Sequence, residues 1–552
     1  MSSDGTQGPV IIEGIKAAYE GNEPPMRLEL RDMIKDKPYQ WTLYLLALER
    51  FQAIPEEQSL SYFQIAGELD PFPRVAGLKA QLHRIQNELY KHIDYISKEF
   101  GKDGKTKYIE AAKSFRMPYW AWARPDLSLF PDEALSRTKH SAERPSSQHG
   151  KKEEFPDKIN PLASYKFGKY SKDRKDDPLF KGIIKNGDDI TSAKTARTFG
   201  NINDKKARDK AIKEFTKPKV GVKGMIVSER ILFRLQSYTD FGAVSNNGRF
   251  GSDTNEFGIW GSIEDVHNAV HNYIGGGYMG DPAYSSFDPI FWLHHINIDR
   301  LFAIWQACNP GRYVTSQDST EDTIVRAEGS KETADSPLTP FAQSLAADGQ
   351  QKFWTSAGVV DTKTFDYICP ETQSVFNSRK LIINEVGRLY LKRASFANIL
   401  RSQPGDVETL RELQERAKAH LKSAVTAAPE FPVGRDIQKL AGGGKYLEWL
   451  VNIRAEKVEL NGNYIVNVFL GDPDDGTLPL LYVKDHAHVG SFATFEQHEQ
   501  SSCENCKKGH EEKLKVAGQI PLTIALVERY LAGQVDSLKP EHVKEYLKAN
   551  IR

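Results

Sequence analysis

Cysteine is scarce in this chain: four residues, Cys308, Cys369, Cys503 and Cys506, in a length of 552. A disulfide-dense secreted scaffold is thereby excluded. No run of 18 apolar residues occurs, so no transmembrane helix is expected. An excess of charge is missing too, because 74 Lys+Arg balance 74 Asp+Glu. Nothing supplies the basic footprint of a nucleic-acid or membrane-surface protein, and neither partner is expected. The first residues, MSSDGTQGPVIIEGIKAAYEG, lack the basic-then-apolar pattern of a secretory signal. With so little cysteine, this predicts a reducing, intracellular and cytoplasmic setting. Repeats and low-complexity tracts are absent. What remains is ordinary globular material, 39% hydrophobic and 10% aromatic, long enough for two or three domains.

Apolar periodicity locates the main elements. Residues 27–52 and 78–100 read as helices. In the second, Leu78, Leu82, Ile85, Leu89, Ile93 and Ile96 form one stripe at helical spacing. An aromatic segment follows (115–135), and then a polar stretch over 136–222 that reads as loop with short extended pieces such as 160–167. Residues 225–240 read as helix. SIEDVHNAVHNYI (262–274) should be a helix capped by Ser262, with Asp265 near its positive end. GGGYMGDPAYSS breaks it, and DPIFWLHHINIDRLFAIWQ (288–306) starts another with Pro289 in its first turn. Beyond about 375 the β-branched and aromatic runs at 379–396, 444–472, 478–495 and 519–531 read as strands. Asn461-Gly462 is a hairpin signal between two of them, and a helix interrupts them near 406–424.

His267 and His271 are four apart, so both imidazoles lie on one helix face and can reach one ion. Such a pair on a surface helix is commonly structural. Here the next helix carries His294 and His295 inside an apolar run, where polar rings need partners. A third imidazole from that helix would complete a trigonal set for copper, zinc, iron or nickel.

The run EDVHNAVHNYIGG…FDPIFWLHHINIDRLFAIW resembles the second copper-binding motif of tyrosinases, catechol oxidases and haemocyanins, and most of all that of fungal tyrosinases. SYFQIAG, FRMPYWAWA, NPLASYKF, YTDFGAVSN and the C-terminal VNIRAEKVELNGNYIVNVFLG and GQIPLTIALVERYLAG extend the likeness over most of the chain. The resemblance implies a mainly α fold: a helical-bundle type-3 copper domain (1–375), followed by a β-rich, sandwich-like C-terminal domain (376–552) that shields the site. It implies that His267, His271 and His295 hold the second copper, CuB, with His294 a packed neighbour. Glu264 and Asn268 would hold the water that deprotonates a phenol, whose pKa near 10 needs such help. Asp299, one turn beyond His295, would accept that ring's distal N–H; its alternative is a surface pair with Arg300. The cofactor implied is a pair of copper ions, and the partners are O2 and a small phenol. A substrate ring would stack near His271 and Phe291. The reaction is ortho-hydroxylation of monophenols and oxidation of o-diphenols to o-quinones, with pigment formation (melanin) as the usual outcome. The resemblance leaves oligomeric state open.

The family's first copper, CuA, needs its own three histidines, and here the likeness breaks. SYFQIAG runs into Glu68, Leu69 and Asp70 where the family has a histidine, and its Cys-x-His loop is missing. His83 and His92 are the remaining candidates. Their nine-residue spacing resembles that of the second and third CuA ligands, yet on one helix it spans about 13 Å, too far for one ion. The family's Tyr-Trp-Asp-Trp stands as Tyr119-Trp120-Ala121-Trp122, and a Tyr pair as Tyr367-Ile368-Cys369. Either divergence or a misjoined exon produces such a shortened 68–90 region. The sequence therefore carries two expectations: a phenol-oxidising enzyme, or a catalytically impaired relative keeping only the CuB half-site. A catechol or o-aminophenol oxidase is a third.

Cys503 and Cys506, with His498 and His510 flanking, match a CxxC that the family is proposed to use for copper delivery, and thiolates suit Cu(I). Two reduced surface thiols are the alternative. His486 and His488 alternate like a strand face and read as structural. Phe492 and Phe495 fall where the family's C-terminal domain plugs the site entrance, and either ring could do so or pack in a core.

Overall fold

The computed structural model describes the chain apart from residues 1–9, 17–18, 20–21, 68–74, 150–155, 174–193, 198, 200–204, 218–229, 232–233, 236–243, 246–259, 276, 315, 319–326, 328, 391–395, 402–406, 422–431, 433, 461 and 497–509. The Glu68-Leu69-Asp70 segment, most of 225–240, YTDFGAVSN except Val244 and Ser245, Asn461, His498, Cys503 and Cys506 thus lie outside the described residues.

The first domain is helical, as its periodicity requires. Helices α1 (Leu30–Asp36) and α2 (Pro38–Gln52) are separated by Lys37 alone. Pro38 has no N–H with which to continue α1, but it suits the first turn of α2. Helix α3 (Val75–Lys102) buries the whole expected stripe from Leu78 to Ile96 against α2. The polar stretch hides a helix that its composition did not reveal, α4 (Lys205–Phe215). Ala207, Ala211 and Phe215, four apart, are its buried face, and exposed lysines surround them.

The two histidine-bearing helices form for local reasons visible in the sequence. In α5 (Ile263–Val270) the Ser262 Oγ accepts from the Asp265 N–H at 3.2 Å. A π-helical turn, His271–Gly275, carries the helix into the glycine-rich loop. In α6 (Pro289–Cys308) the Asp288 carboxylate caps the Ile290 N–H at 3.1 Å and is itself held by Arg197. Every α6 residue except Gln306 and Ala307 is buried. A helix apolar all round belongs at a domain centre, and this one packs on α3.

An antiparallel hairpin, β1 (Pro337–Leu345) with β2 (Gln351–Thr355), follows. Residues 379–396, expected as strand, instead contain α7 (Arg379–Leu389). Ser378 caps it, and Ile382 and Val386, one turn apart, bury together toward α6. The Leu-Ile-Ile run imitated a strand because its β-branched residues fit both states. Helix α8 (Val407–Leu421) stands where the helical interruption was expected.

Four strands form two small antiparallel sheets: β3 (Leu450–Glu456) pairs with β6 (Lys515–Pro521), and β4 (Ile465–Phe469) with β5 (His488–Ala493). Asn461-Gly462 therefore closes no hairpin, since β3 and β4 belong to different sheets. The sheets lie against each other through glycine. A Cβ on Gly490 would sit 2.7 Å from the Ile520 side chain, and one on Gly518 would sit 2.2 Å from Phe492. The expected strand at 519–531 ends at Pro521 and turns into α9 (Thr523–Leu531); α10 (Pro540–Asn550) follows. The chain is thus a mainly helical domain followed by small β-sheets, the expected class. No helix among the described residues is long and apolar enough to cross a membrane.

Candidate metal centre

Helices α5 and α6 bring three imidazoles together nitrogen to nitrogen. The Nε2 atoms of His267 and His271 are 3.0 Å apart, and each lies 3.2 Å from Nε2 of His295. The outer nitrogens explain why. His271 Nδ1–H donates to the Met279 carbonyl at 2.7 Å, and His267 Nδ1–H to the Asn268 Oδ1 at 2.9 Å. Each ring then turns an Nε2 lone pair inward. Burial, the first cause in each case, holds His267 at about 4 and pushes His271 and His295 well below the usual histidine value. All three are neutral at pH 7. Three lone pairs converging without a proton repel one another unless a cation lies between them. The corners of such a triangle lie about 1.8 Å from its centre, close to a metal–imidazole bond of about 2.0 Å. The donor set therefore fits a copper ion and resembles one copper site.

The fourth ring, His294, is buried and stacks on His267 at 18°, with centroids 4.9 Å apart. Trp122 Nε1–H donates to its Nδ1 at 2.9 Å. Beneath the cluster, Phe291 stacks on His295 at 3.9 Å. Above it, Phe495 of the C-terminal domain stacks on His271 at 4.2 Å and 20°. The choice between the two phenylalanines is resolved on this point: Phe495 covers the histidines, while Phe492 is fully buried between the sheets.

Two expected roles change. Asp299 does not accept from His295, whose Nδ1 is buried without a partner. Its carboxylate is taken by Arg27 at 2.6 Å and by the Tyr367 hydroxyl at 2.5 Å. It does not pair with Arg300 at a surface either, because Arg300 is buried against Glu371. Of the two water-holding candidates, Asn268 gives its amide oxygen to His267, leaving its NH2 group to hold other things, and Glu264 sits half-buried one turn before His267.

His83 and His92 do not join the cluster. His83 is fully buried, stacked on Phe365 at 3.9 Å; His92 lies against Phe51 at 5.5 Å. Among the described residues the histidine group capable of holding a metal is His267, His271, His294 and His295. A second group, Asp474, Asp485 and His486, has the Asp485 carboxylate already accepting from the Asp474 and Ala487 N–H groups.

The α5 helix is also tied to the C-terminal domain, which sequence reasoning did not foresee. Buried Asp265 pairs with Arg230 at 3.2 Å and Arg234 at 3.0 Å. These arginines donate onward to the carbonyls of Ser491 and Gln519, both at 2.6 Å. Asn272 reaches the Thr494 carbonyl at 2.7 Å, directly beside Phe495.

Comparison with known proteins shows the family. Residues 82–308 match the common central domain of tyrosinase, and residues 448–552 match the tyrosinase C-terminal domain. A tyrosinase of Neurospora crassa is 30% identical, over 96% of this chain and 88% of its own length. A tyrosinase of Podospora anserina is 31% identical, over 95% of this chain and 96% of its own length. In fold, a recombinant mushroom tyrosinase superimposes with a TM-score of 0.69 at 21% identity, covering 98% of this chain and 89% of that one. The helical domain with its imidazole cluster is thus of the type-3 copper class. The chain belongs to the tyrosinase family.

Proposed function

We propose that this protein is a copper-binding member of the family that keeps one copper of the usual pair, held by His267, His271 and His295, and admits a small phenolic ring beside it. The histidine inventory carries this reading. Of fourteen histidines, those before residue 260 are His83, His92, His140 and His149. His83 and His92 pack against phenylalanines, and His140 binds the Glu133 carbonyl at 2.8 Å with its ring edge-on to Trp41. Among the described residues none of them joins other histidines in a second metal-holding group. Bound copper would supply redox and Lewis-acid chemistry at the three Nε2 atoms. Asn268 and Met279 fix the rings that hold it, and Phe291 with Phe495 excludes water. In this reading Glu264 and the Asn268 amide would hold a water that takes a phenol's proton.

The second reading is the full tyrosinase reaction with O2, hydroxylation of monophenols and oxidation of catechols to o-quinones that feed pigment. Its support is the full-length likeness to two proteins named tyrosinase, at 30% and 31% identity, and the ring of Phe495 over the site, a cover that suits a reactive centre. Electron paramagnetic resonance of the copper-loaded protein separates the readings. A half-site gives one spin per bound copper and no rapid O2 uptake with a catechol. A coupled pair is silent and consumes O2.

We place the domain division between Tyr390 and Phe396, later than 375. Ile382, Val386 and Tyr390 pack in the first core, and the second core begins at Phe396. The intracellular setting remains a proposal resting on the sparse cysteine.

A further inference from the structure

Two ring nitrogens of the cluster have no hydrogen-bond partner among the described residues: Nδ1 of His295, a ring that already turns its Nε2 to the triad, and Nε2 of His294, which lies outside the triad. The protonation of His294 follows from its neighbour. An indole N–H can only donate, so Trp122 Nε1–H makes His294 Nδ1 an acceptor. A neutral imidazole that accepts at Nδ1 carries its proton on Nε2.

His294 is therefore an N–H donor. A ring nitrogen with a proton cannot bind a metal, yet one ring nitrogen of His294 lies within 4.8 Å of ring nitrogens of the other three histidines. None of the three adjoining imidazoles accepts a hydrogen bond from it, and His271 and His295 stand edge-on to the ring at 81° and 82°. The His294 and His267 rings are nearly parallel, 18° apart, so the N–H runs alongside the His267 face rather than into it. A buried donor left without an acceptor is costly, and native proteins rarely keep one without a use.

We infer that His294 donates its Nε2–H to an anionic oxygen, phenolate or carboxylate, of the aromatic molecule bound at the three-histidine site, and so positions that molecule without binding the metal. This rests on the copper-site reading above. Trp122 then has a defined part, which is to hold the proton on Nε2. The Tyr119-Trp120-Ala121-Trp122 segment thus takes part in ligand orientation through its second tryptophan.

The test uses full-length, copper-loaded protein in a Phe495→Ala background, with benzoate as probe and its binding followed by the copper resonance spectrum. His294→Asn keeps an acceptor for Trp122 but cannot reach as far as Nε2, whereas His294→Gln reaches and donates. The expected result is unchanged copper content in both variants, with benzoate about tenfold weaker in His294→Asn and within about threefold of the parent in His294→Gln. Equal benzoate affinity in His294→Asn would overturn the inference, as would loss of copper in that variant, which would make His294 a ligand. A copper-loaded parent that does not bind benzoate overturns it too. A parent that takes up no copper refutes the site reading itself, a separate result.

Discussion

The rings of Phe495 and His271 lie parallel, 20° apart, with centroids separated by 4.2 Å. The two residues belong to different domains, so this contact joins the metal centre to the C-terminal sheets. It also occupies the face of His271 where a phenolic ring was expected to stack. Ring contacts of this kind contribute about 0.5–1.5 kcal/mol beyond burial, enough for displacement by a competing ring. Phe495→Ala should strengthen binding of a small aromatic acid to the copper-loaded protein by about tenfold, measured by titration. Unchanged affinity would mean that Phe495 covers nothing a ligand needs.

The second link between the domains is ionic. Asp265 is fully buried between Arg230 and Arg234, which donate to carbonyls of β5 and β6. Removing the carboxylate leaves two buried cations facing one another, a loss of about 3–5 kcal/mol. Asp265→Asn should lower stability by that order in urea unfolding and speed proteolytic release of the C-terminal domain. A loss under about 1 kcal/mol would show that water reaches the pair and screens it.

Acid should weaken the fold through buried histidines that are remote from the metal. Burial, aided by Arg50 and Lys91, holds His92 at about 4, against 6.5 for an ordinary histidine. The unfolded chain takes up this proton as pH falls below about 6.5, and the folded chain does so only near 4. Stability is therefore complete above 6.5 and declines as pH falls from 6.5 to 4. His92→Phe, beside Phe51, should remove roughly 2 kcal/mol of that decline. An identical pH slope in the variant would contradict the assignment.

Base should act in the opposite direction at Glu496, the residue after Phe495. Burial raises its carboxyl to about 7, with Lys457 opposing. Its Oε1 has no hydrogen-bond partner. The unfolded chain loses this proton near 4.5 and the folded chain near 7, so stability falls as pH rises through that window. Glu496→Gln should therefore stabilise the protein at pH 8 and much less at pH 5, read from urea midpoints. A gain of equal size at both values would assign the effect to packing.

Much of the centre was legible in the sequence because the residues that make it are close along the chain. His267 and His271 share a helix face, Ser262 and Asp288 start the two helices, and Pro289 marks the second. Contacts between distant segments were not legible. Nothing local indicates that Asp299 pairs with Arg27, that Trp122 meets His294, or that Met279 orients His271, since these are set by how the helices cross. The strand expected at 379–396 failed because Leu381, Ile382 and Ile383 satisfy both patterns, and Ser378 with the i, i+4 pair Ile382 and Val386 decides for helix. The hairpin expected at Asn461-Gly462 failed because the sheets pair β3 with β6 and β4 with β5.

The most direct test of the central claim is copper per chain in reconstituted full-length protein carrying Cys503→Ser and Cys506→Ser, alone and with His271→Ala. The serine changes remove copper that the CxxC could hold, so the core alone is counted. The account predicts one copper in the first protein and none in the second. Two coppers in the first, or one surviving His271→Ala, would contradict it.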